Sequence, residues 1–176
     1  MFHSTVAAIS TPKGKGGVAM IRISGDEAIS VVNKIFTLPS GKKIADYVAR
    51  KCYYGHILRD GSVIDDVTLT YFKAPNSFTG EDVCEICCHG GLYVTQAVLH
   101  TVLSAGAQPA GAGEFTKRAY INGKLTLSSA EAIGGVIDAK NDAQLRLSTS
   151  LCFTINFPAI RSISKDFSEK HGPQPN

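Results

Sequence analysis

Apolar residues are concentrated in short segments along the first half of the chain, each bounded by charged or turn-forming residues. Continuous or alternating apolar runs of this length are typical of strands that are buried on at least one face. The predicted strands cover residues 18–24, 52–58, 63–72 and 83–88. Arg59, Asp60 and Gly61 separate the second of these strands from the third, which predicts a β-hairpin at that point.

Apolar residues recur at helical spacing between and after these strands. Helices are predicted after residue 27, over residues 92–105, over residues 114–121 and from residue 128 to about residue 147. Ser24 with Glu27, and Ser128 with Glu131, have the spacing of capping boxes that open the first and the last of these helices. Gly106 stands where a C-terminal cap glycine is expected.

The order of these elements predicts the fold class and the domains. Strands and helices interleave without a regular βαβ repeat, which favours an α+β fold followed by a partial helical extension. Residues 1–122 are expected to form one domain, and residues 123–151 to begin a helical domain. From Cys152 the periodicity fails, so residues 152–176 are predicted to be a poorly ordered tail.

Composition narrows the class of protein without indicating a function. The 176 residues are 44% hydrophobic and 19% charged, as in ordinary globular chains. The sequence contains neither an apolar run of about 18 residues nor a signal-peptide pattern, so we expect a cytoplasmic protein with no membrane association. The net charge of +3 allows an anionic ligand or RNA but argues for neither.

Two charged residues interrupt apolar strands. Glu85 lies within the apolar run 83–88, and Arg22 lies within the strand predicted over residues 18–24. Carboxylates and guanidinium groups are rarely buried unless they are paired. Arg22 and Glu85 therefore form a structural ion pair, face solvent, or point together into one polar pocket.

The five cysteines also have two interpretations. Cys84, Cys87, Cys88 and His89 lie within six consecutive positions, a spacing that resembles part of a zinc site. In an extended strand, however, Cys84 and Cys87 point to opposite faces, and no second ligand pair occurs in the sequence. Reduced thiols that pack as small apolar side chains are the favoured interpretation.

Glycine-rich and basic segments leave further alternatives open. The loop over residues 11–17 matches neither a Walker A motif nor a dinucleotide fingerprint, and is either a turn or an anion-binding loop. Gly90 and Gly91 serve either a tight turn or the close approach of a ligand. The basic segment 113–127 is typical of a solvated helix face, although its Lys124 could reach a carboxylate. Its basic residues are Lys117, Arg118 and Lys124.

Three separated strings resemble one family. They are STPKGKGGVAMIRISG, PNSFTGEDVCEICCHGG and GEFTKRAYINGKLTLSSAEAIGGVIDAKNDAQLRL. Together they resemble the N-terminal part of the MnmE/TrmE tRNA-modification GTPases, over about residues 5–147. The resemblance implies a folate-binding domain similar to the tetrahydrofolate domain of the glycine-cleavage T protein. It also implies a constitutive homodimer that binds 5-formyl-tetrahydrofolate or 5,10-methylene-tetrahydrofolate.

In that family the folate supplies a one-carbon unit for modification of carbon 5 of the wobble uridine in tRNA. A flavin-dependent partner, MnmG (GidA), takes part in the reaction. The resemblance places the family's folate-contacting arginine on Arg22, the glutamate of its GEDVxE motif on Glu85 and the lysine of its NGKLDL motif on Lys124. Glu85 would accept hydrogen bonds from the pterin, and the two cations would hold carbonyl or carboxylate groups.

The sequence departs from the family in three places. Gly111-Ala112 stands where the family has Arg-Pro, and Cys88 stands where it has the first glycine of GHGG. Within the 176 residues there is no Walker A, DTAG or NKxD string, and no C-terminal cysteine motif. The leading hypothesis is therefore a folate-binding, dimerising module without its own GTP hydrolysis. The alternatives are a dimerisation remnant that has lost the ligand, and a thiol or metal protein.

Overall fold

The computed structural model describes residues 4–12 and 14–153. The chain forms two compact units, which divide between Lys124 and Leu125. The tail predicted from Cys152 lies outside the described residues except for its first two positions. Those two positions continue the last helix instead of leaving it.

The first unit is built on a seven-stranded sheet. Its strands in chain order are β1 Val6–Ile9, β2 Val18–Ser24, β3 Phe36–Thr37, β4 Cys52–Arg59, β5 Ser62–Phe72, β6 Val83–His89 and β7 Gln108–Pro109. They lie in the order β3-β4-β5-β6-β2-β1-β7. All neighbours are antiparallel except β1 and β7, which are parallel. The α+β prediction is confirmed.

Three helices belong to this unit: α1 Ala28–Ile35, α2 Leu92–Ser104 and α3 Glu114–Ile121. Helices α1 and α2 pack together against the sheet, because both carry apolar stripes that match its apolar face. That face includes Ile21, Ile23, Leu69, Cys84 and Ile86, all fully buried or nearly so. Alternation along the strands then sends Arg22 and Glu85 to the opposite face.

The turn between β4 and β5 confirms the predicted hairpin. Arg59 pairs with Ser62, so Asp60 and Gly61 form a two-residue loop. Their φ angles are 51° and 78°, as the type I′ turn of a twisted hairpin requires. Gly106 likewise follows α2 with a φ of 122°, in agreement with the predicted cap.

The predicted capping box at the start of α1 is wrong. Ser24 is the last residue of β2, and its hydroxyl bonds to Thr79 and to the Glu81 carboxylate instead of to a helix amide. The N-cap is Glu27, and its backbone N–H donates to the Thr5 hydroxyl. Spacing alone could not distinguish a cap from the end of a strand, because both place a serine before a turn.

The described part of the second unit, up to residue 153, contains two helices, α4 Leu127–Ile137 and α5 Asp142–Phe153, where the sequence predicted one long helix. The predicted cap is also displaced: Thr126, not Ser128, accepts the N–H of Ser129. Asn141 accepts the N–H of Gln144 in the same way and opens α5. Two side-chain caps within one periodic stretch therefore produce a helical hairpin.

Two adjacent glycines in α4 give a matched test of its packing. A Cβ atom on Gly134 meets no heavy atom within 4 Å, whereas one on Gly135 would lie 2.6 Å from the Ser148 hydroxyl of α5. We expect Gly134→Ala to stabilise the protein by about 0.5–1 kcal/mol, because alanine loses less backbone entropy in a helix. Gly135→Ala should stabilise it less than Gly134→Ala does, because the Ser148 hydroxyl has to rotate away from the new methyl group. Urea unfolding followed by circular dichroism measures both. Equal effects of the two substitutions would contradict the observed packing of α4 on α5.

No helix within residues 4–12 and 14–153 has the length and apolar character needed to cross a membrane.

Candidate functional site

The site lies on the sheet face opposite α1 and α2. Arg22 of β2 and Glu85 of β6 are directly paired across the two strands, and Thr70 of β5 is the next residue in the same row. Nε of Arg22 donates to Oε1 of Glu85 at 2.9 Å, and Nη2 lies 2.7 Å from the same oxygen. The side chains remain 21% and 19% exposed, so the ion pair can be reached from solvent.

Both nitrogens of Arg22 use the same carboxylate oxygen. Within the part of the chain that the structure describes, Oε2 of Glu85 accepts no hydrogen bond. A carboxylate oxygen has two lone pairs and is a strong acceptor for N–H donors. The pair is therefore a formed structural ion pair that still offers an acceptor to a ligand.

Two phenyl rings lie close to the guanidinium of Arg22. Its central carbon lies 5.2 Å from the ring centroid of Phe78 and 5.5 Å from that of Phe115, within the range of cation–π attraction. Phe78 belongs to the loop between β5 and β6, and Phe115 to α3. Both are only half-buried. The sequence analysis missed them, although each stands inside a string that carries the family resemblance.

Arg118 of α3 is fully buried, so the prediction that this basic segment is a solvated helix face is wrong at this position. Its Nη2 lies 2.9 Å from the Glu114 carboxylate, and its Nη1 lies 3.1 Å from Glu81 and 2.9 Å from the Ser4 carbonyl. Lys117 beside it is exposed, as predicted. Lys117 and Arg118 are neighbours in sequence but lie on different sides of α3, because successive residues of a helix point in different directions.

Glu114 is fixed from two sides. Its Oε2 accepts the N–H of Gly111 at 2.7 Å, and its Oε1 accepts from Arg118. The Gly111 hydrogen bond, and then the charge of Arg118, lower the pKa of the Glu114 carboxyl. Gly111 is one of the positions that departs from the family pattern, and here its backbone still serves the start of α3.

Lys124 is not in contact with Arg22 or Glu85. Its Nζ donates to the Pro75 carbonyl at 2.9 Å, so it is attached to the loop that carries Phe78. The aliphatic part of its side chain passes Gly80, where a Cβ atom would lie 3.1 Å from Cγ of Lys124. Of the three predicted site residues, Arg22 and Glu85 are therefore in direct contact. Lys124 is bonded instead to the loop between β5 and β6.

The cysteines of β6 pack mainly as apolar side chains. Cys84 and Cys88 are buried, and burial, with a smaller contribution from nearby aspartates, raises the pKa of their thiols to about 12 and about 11. Such thiols are protonated and unreactive at neutral pH. Among residues 4–12 and 14–153, no three His, Cys, Asp or Glu side chains are grouped so that they could hold a metal ion.

Gly90 serves a backbone contact within the protein. A Cβ atom there would lie 2.5 Å from the Gly16 carbonyl oxygen, and the N–H of Gly16 donates to the Gly90 carbonyl at 3.0 Å. The glycine-rich loop before β2 therefore packs against the corner between β6 and α2. This close approach supports the structural interpretation of both glycine segments over the ligand-binding one.

His89 at this corner forms a pair with Asp65. Its Nδ1 lies 2.6 Å from Oδ1 of Asp65, and its backbone N–H donates to Oδ2. The hydrogen bond to Asp65, followed by the charge of that carboxylate, raises the pKa of His89 above its ordinary value of 6.5. A raised folded-state pKa adds stability that is present below the unfolded pKa and is lost as pH rises through the folded one.

We therefore expect the urea midpoint of the protein to fall as pH rises from about 6 to about 8, the window in which histidine titrates. Asp65→Asn should flatten this dependence and return the His89 pKa towards 6.5. Proton NMR titration of the imidazole measures the pKa directly. A titration of His89 that is identical in the wild-type protein and in Asp65→Asn would contradict the pairing.

Comparison with known proteins shows the family to which the chain belongs. Residues 5–124 match the family described as the N-terminus of the GTP-binding protein TrmE. The chain is similar to the tRNA modification GTPase MnmE of Clostridioides difficile (strain 630), with 50% identity over 138 residues, 78% of this chain and 30% of that protein. The chain therefore belongs to the TrmE N-terminal domain family.

Two further MnmE proteins match this chain with similar identity and over similar shares of the two chains. MnmE of Geobacillus kaustophilus (strain HTA426) is 46% identical over 145 residues, which are 81% of this chain and 31% of that protein. MnmE of Acholeplasma laidlawii (strain PG-8A) is 48% identical over 148 residues, 84% of this chain and 32% of that protein. The chain thus spans about a third of the length of these tRNA modification GTPases.

Proposed function

We propose that this chain is a folate-binding and dimerising module of the tRNA-modification machinery. Its ligand is 5-formyl-tetrahydrofolate or 5,10-methylene-tetrahydrofolate, the one-carbon donor for carbon 5 of the wobble uridine. It works in the cytoplasm as a homodimer, together with an MnmG-like flavoprotein and tRNA. The likeness to the folate domain of the glycine-cleavage T protein is part of the same proposal.

The single observation that carries this proposal is the Arg22–Glu85 pair with two phenyl rings close to its guanidinium. A pterin is flat and presents an amino group and a ring N–H on one edge. The free Oε2 of Glu85 suits those donors, and aromatic rings nearby favour a flat aromatic ligand. The acceptor and the apolar walls are therefore present on the same side of the sheet.

The cations serve the other polar groups of the ligand. Arg22 keeps Nη1 available beyond the two nitrogens that it gives to Glu85, within the described residues. Lys124 holds its ammonium group at the Pro75 carbonyl, a single exposed hydrogen bond that a ligand carboxylate could replace. We assign these two residues to the carbonyl and carboxylate groups of the folate.

Isothermal titration calorimetry with 5-formyl-tetrahydrofolate tests the proposal. We expect micromolar binding by the wild-type chain and a loss of about tenfold to a hundredfold in Glu85→Gln, because a hydrogen bond to a charged group contributes about 1.5–3 kcal/mol. Asp66→Asn, an exposed carboxylate on β5 that pairs with His56, is the matched control and should bind normally.

Two results would remove the proposal. Full-affinity binding by Glu85→Gln would show that this carboxylate does not read the ligand. A wild-type chain that is dimeric by sedimentation but binds no folate would favour the alternative, a dimerisation remnant without a ligand.

A further inference from the structure

We propose that Arg118 is a positioning residue, which holds in place the two phenyl rings that lie close to Arg22. This inference rests on the proposed folate site, because those rings would form its walls. Arg118 is fully buried and is therefore shielded from any ligand. Besides the Ser4 backbone, whose carbonyl accepts from Nη1, Arg118 joins the two segments that carry the rings, and its effect on binding passes through those two.

The first segment is the loop between β5 and β6. Nη1 of Arg118 lies 3.2 and 3.1 Å from the two oxygens of Glu81, three residues after Phe78. Oε2 of Glu81 also accepts the Ser24 hydroxyl at 2.7 Å, and Ser24 in turn bonds to Thr79. The end of this loop is thereby held to β2, two residues from Arg22.

The second segment is the first turn of α3. Nε and Nη2 of Arg118 both donate to Oε1 of Glu114, at 3.2 and 2.9 Å. Glu114 directly precedes Phe115, and its other oxygen holds Gly111. The start of the helix is therefore fixed in orientation as well as in position.

One planar guanidinium thus bridges two carboxylates, each close in sequence to one of the two rings. A guanidinium presents its N–H groups in a rigid fork, whereas a lysine ammonium is a point charge on a flexible stem. Arg118→Lys keeps the charge but cannot hold both carboxylates in a fixed geometry. It should loosen the rings without leaving the carboxylates uncompensated.

A tryptophan reporter measures ring mobility without any ligand. The chain contains no tryptophan, so Phe115→Trp introduces a single indole, which can be excited at wavelengths that tyrosine does not absorb. We expect time-resolved anisotropy of the introduced indole to show faster local motion when Arg118→Lys is added. Val98→Ala, a cavity in the buried face of α2, is the control for general destabilisation and should leave this local motion unchanged.

Affinity is measured separately, in chains that retain Phe115. We expect Arg118→Lys to weaken 5-formyl-tetrahydrofolate binding about tenfold, while its unfolding remains cooperative. The combination with Phe78→Ala should lose less than the sum of the two single losses, because part of the effect of Arg118 passes through the Phe78 ring. Additive losses, unchanged ring motion, or full affinity in Arg118→Lys would overturn the inference.

A milder variant covers the case in which Arg118→Lys does not fold. Ser24→Ala removes one hydrogen bond to Glu81 and leaves both ion pairs in place, so it should produce a smaller change of the same kind in both measurements. A Ser24→Ala protein in which neither the indole motion nor the folate affinity changes would overturn the inference. If the wild-type chain binds no folate while the indole still responds to either variant, the proposed function fails and the positioning role stands.

Discussion

Replacing Arg118 with methionine lowers the free energy of unfolding by about 3–5 kcal/mol, the cost of breaking a buried ion pair from one side. The substitution leaves the Glu81 carboxylate, only 10% exposed, without its cation, and it removes the donor to the Ser4 carbonyl. For a chain of this size the melting temperature should fall by roughly 2–4 °C per kcal/mol. Urea and thermal unfolding followed by circular dichroism measure the loss.

Two controls identify the cause of that loss. Lys117→Met alters the exposed neighbour on the same helix and should change stability by less than about 0.5 kcal/mol. Adding Glu81→Gln and Glu114→Gln to Arg118→Met should recover part of the stability, since neutral amides are less costly to bury than unpaired carboxylates. An Arg118→Met protein as stable as the wild type would contradict the buried network.

Exchanging the two charges of the site, Arg22→Glu with Glu85→Arg, should abolish most folate binding while it preserves the fold. The ion pair can re-form across β2 and β6, because the two positions are direct cross-strand neighbours. We expect a loss of affinity of about a hundredfold, equivalent to about 2.7 kcal/mol, because the acceptor and the donor then face the wrong groups of the ligand.

The single substitutions Arg22→Glu and Glu85→Arg complete the cycle. Each places like charges side by side and should be less stable than the exchanged protein. Calorimetry with 5-formyl-tetrahydrofolate and urea unfolding on the same four proteins separate binding from stability. If the exchanged protein binds as tightly as the wild type, the pair is only a structural ion pair.

Local patterns predicted the three helices and the four longest strands of the first unit, but not the short strands β1, β3 and β7. The hairpin between β4 and β5, the helix α2 and the burial of alternate residues along β6 all follow from short-range periodicity and turn chemistry. The errors lie at helix starts, where Ser24 and Ser128 have the spacing of caps but do not cap. The break between α4 and α5 was missed because the apolar period continues across it.

For the candidate site, the sequence identified the two charges but not what surrounds them. Arg22 and Glu85 were recognisable because a charge inside an apolar strand is unusual. Phe78 and Phe115 were not, since an aromatic residue in a loop or an amphipathic helix is ordinary. Lys124 was noted as a lysine that could reach a carboxylate and was assigned to the site through the family resemblance, and its contact with Pro75 appears only in the fold.

The sequence by itself determined which residues alternate, turn and bury apolar surface, because those properties depend on neighbours a few positions away. The tertiary structure decided which polar groups meet. Arg22 and Glu85 are 63 positions apart, and Arg118 and Ser4 are 114 apart. Contacts over such separations depend on strand order and helix placement, which no local period encodes. The helical period places Lys117 and Arg118 on different sides of α3, and the placement of that helix decides that Arg118 is the buried one.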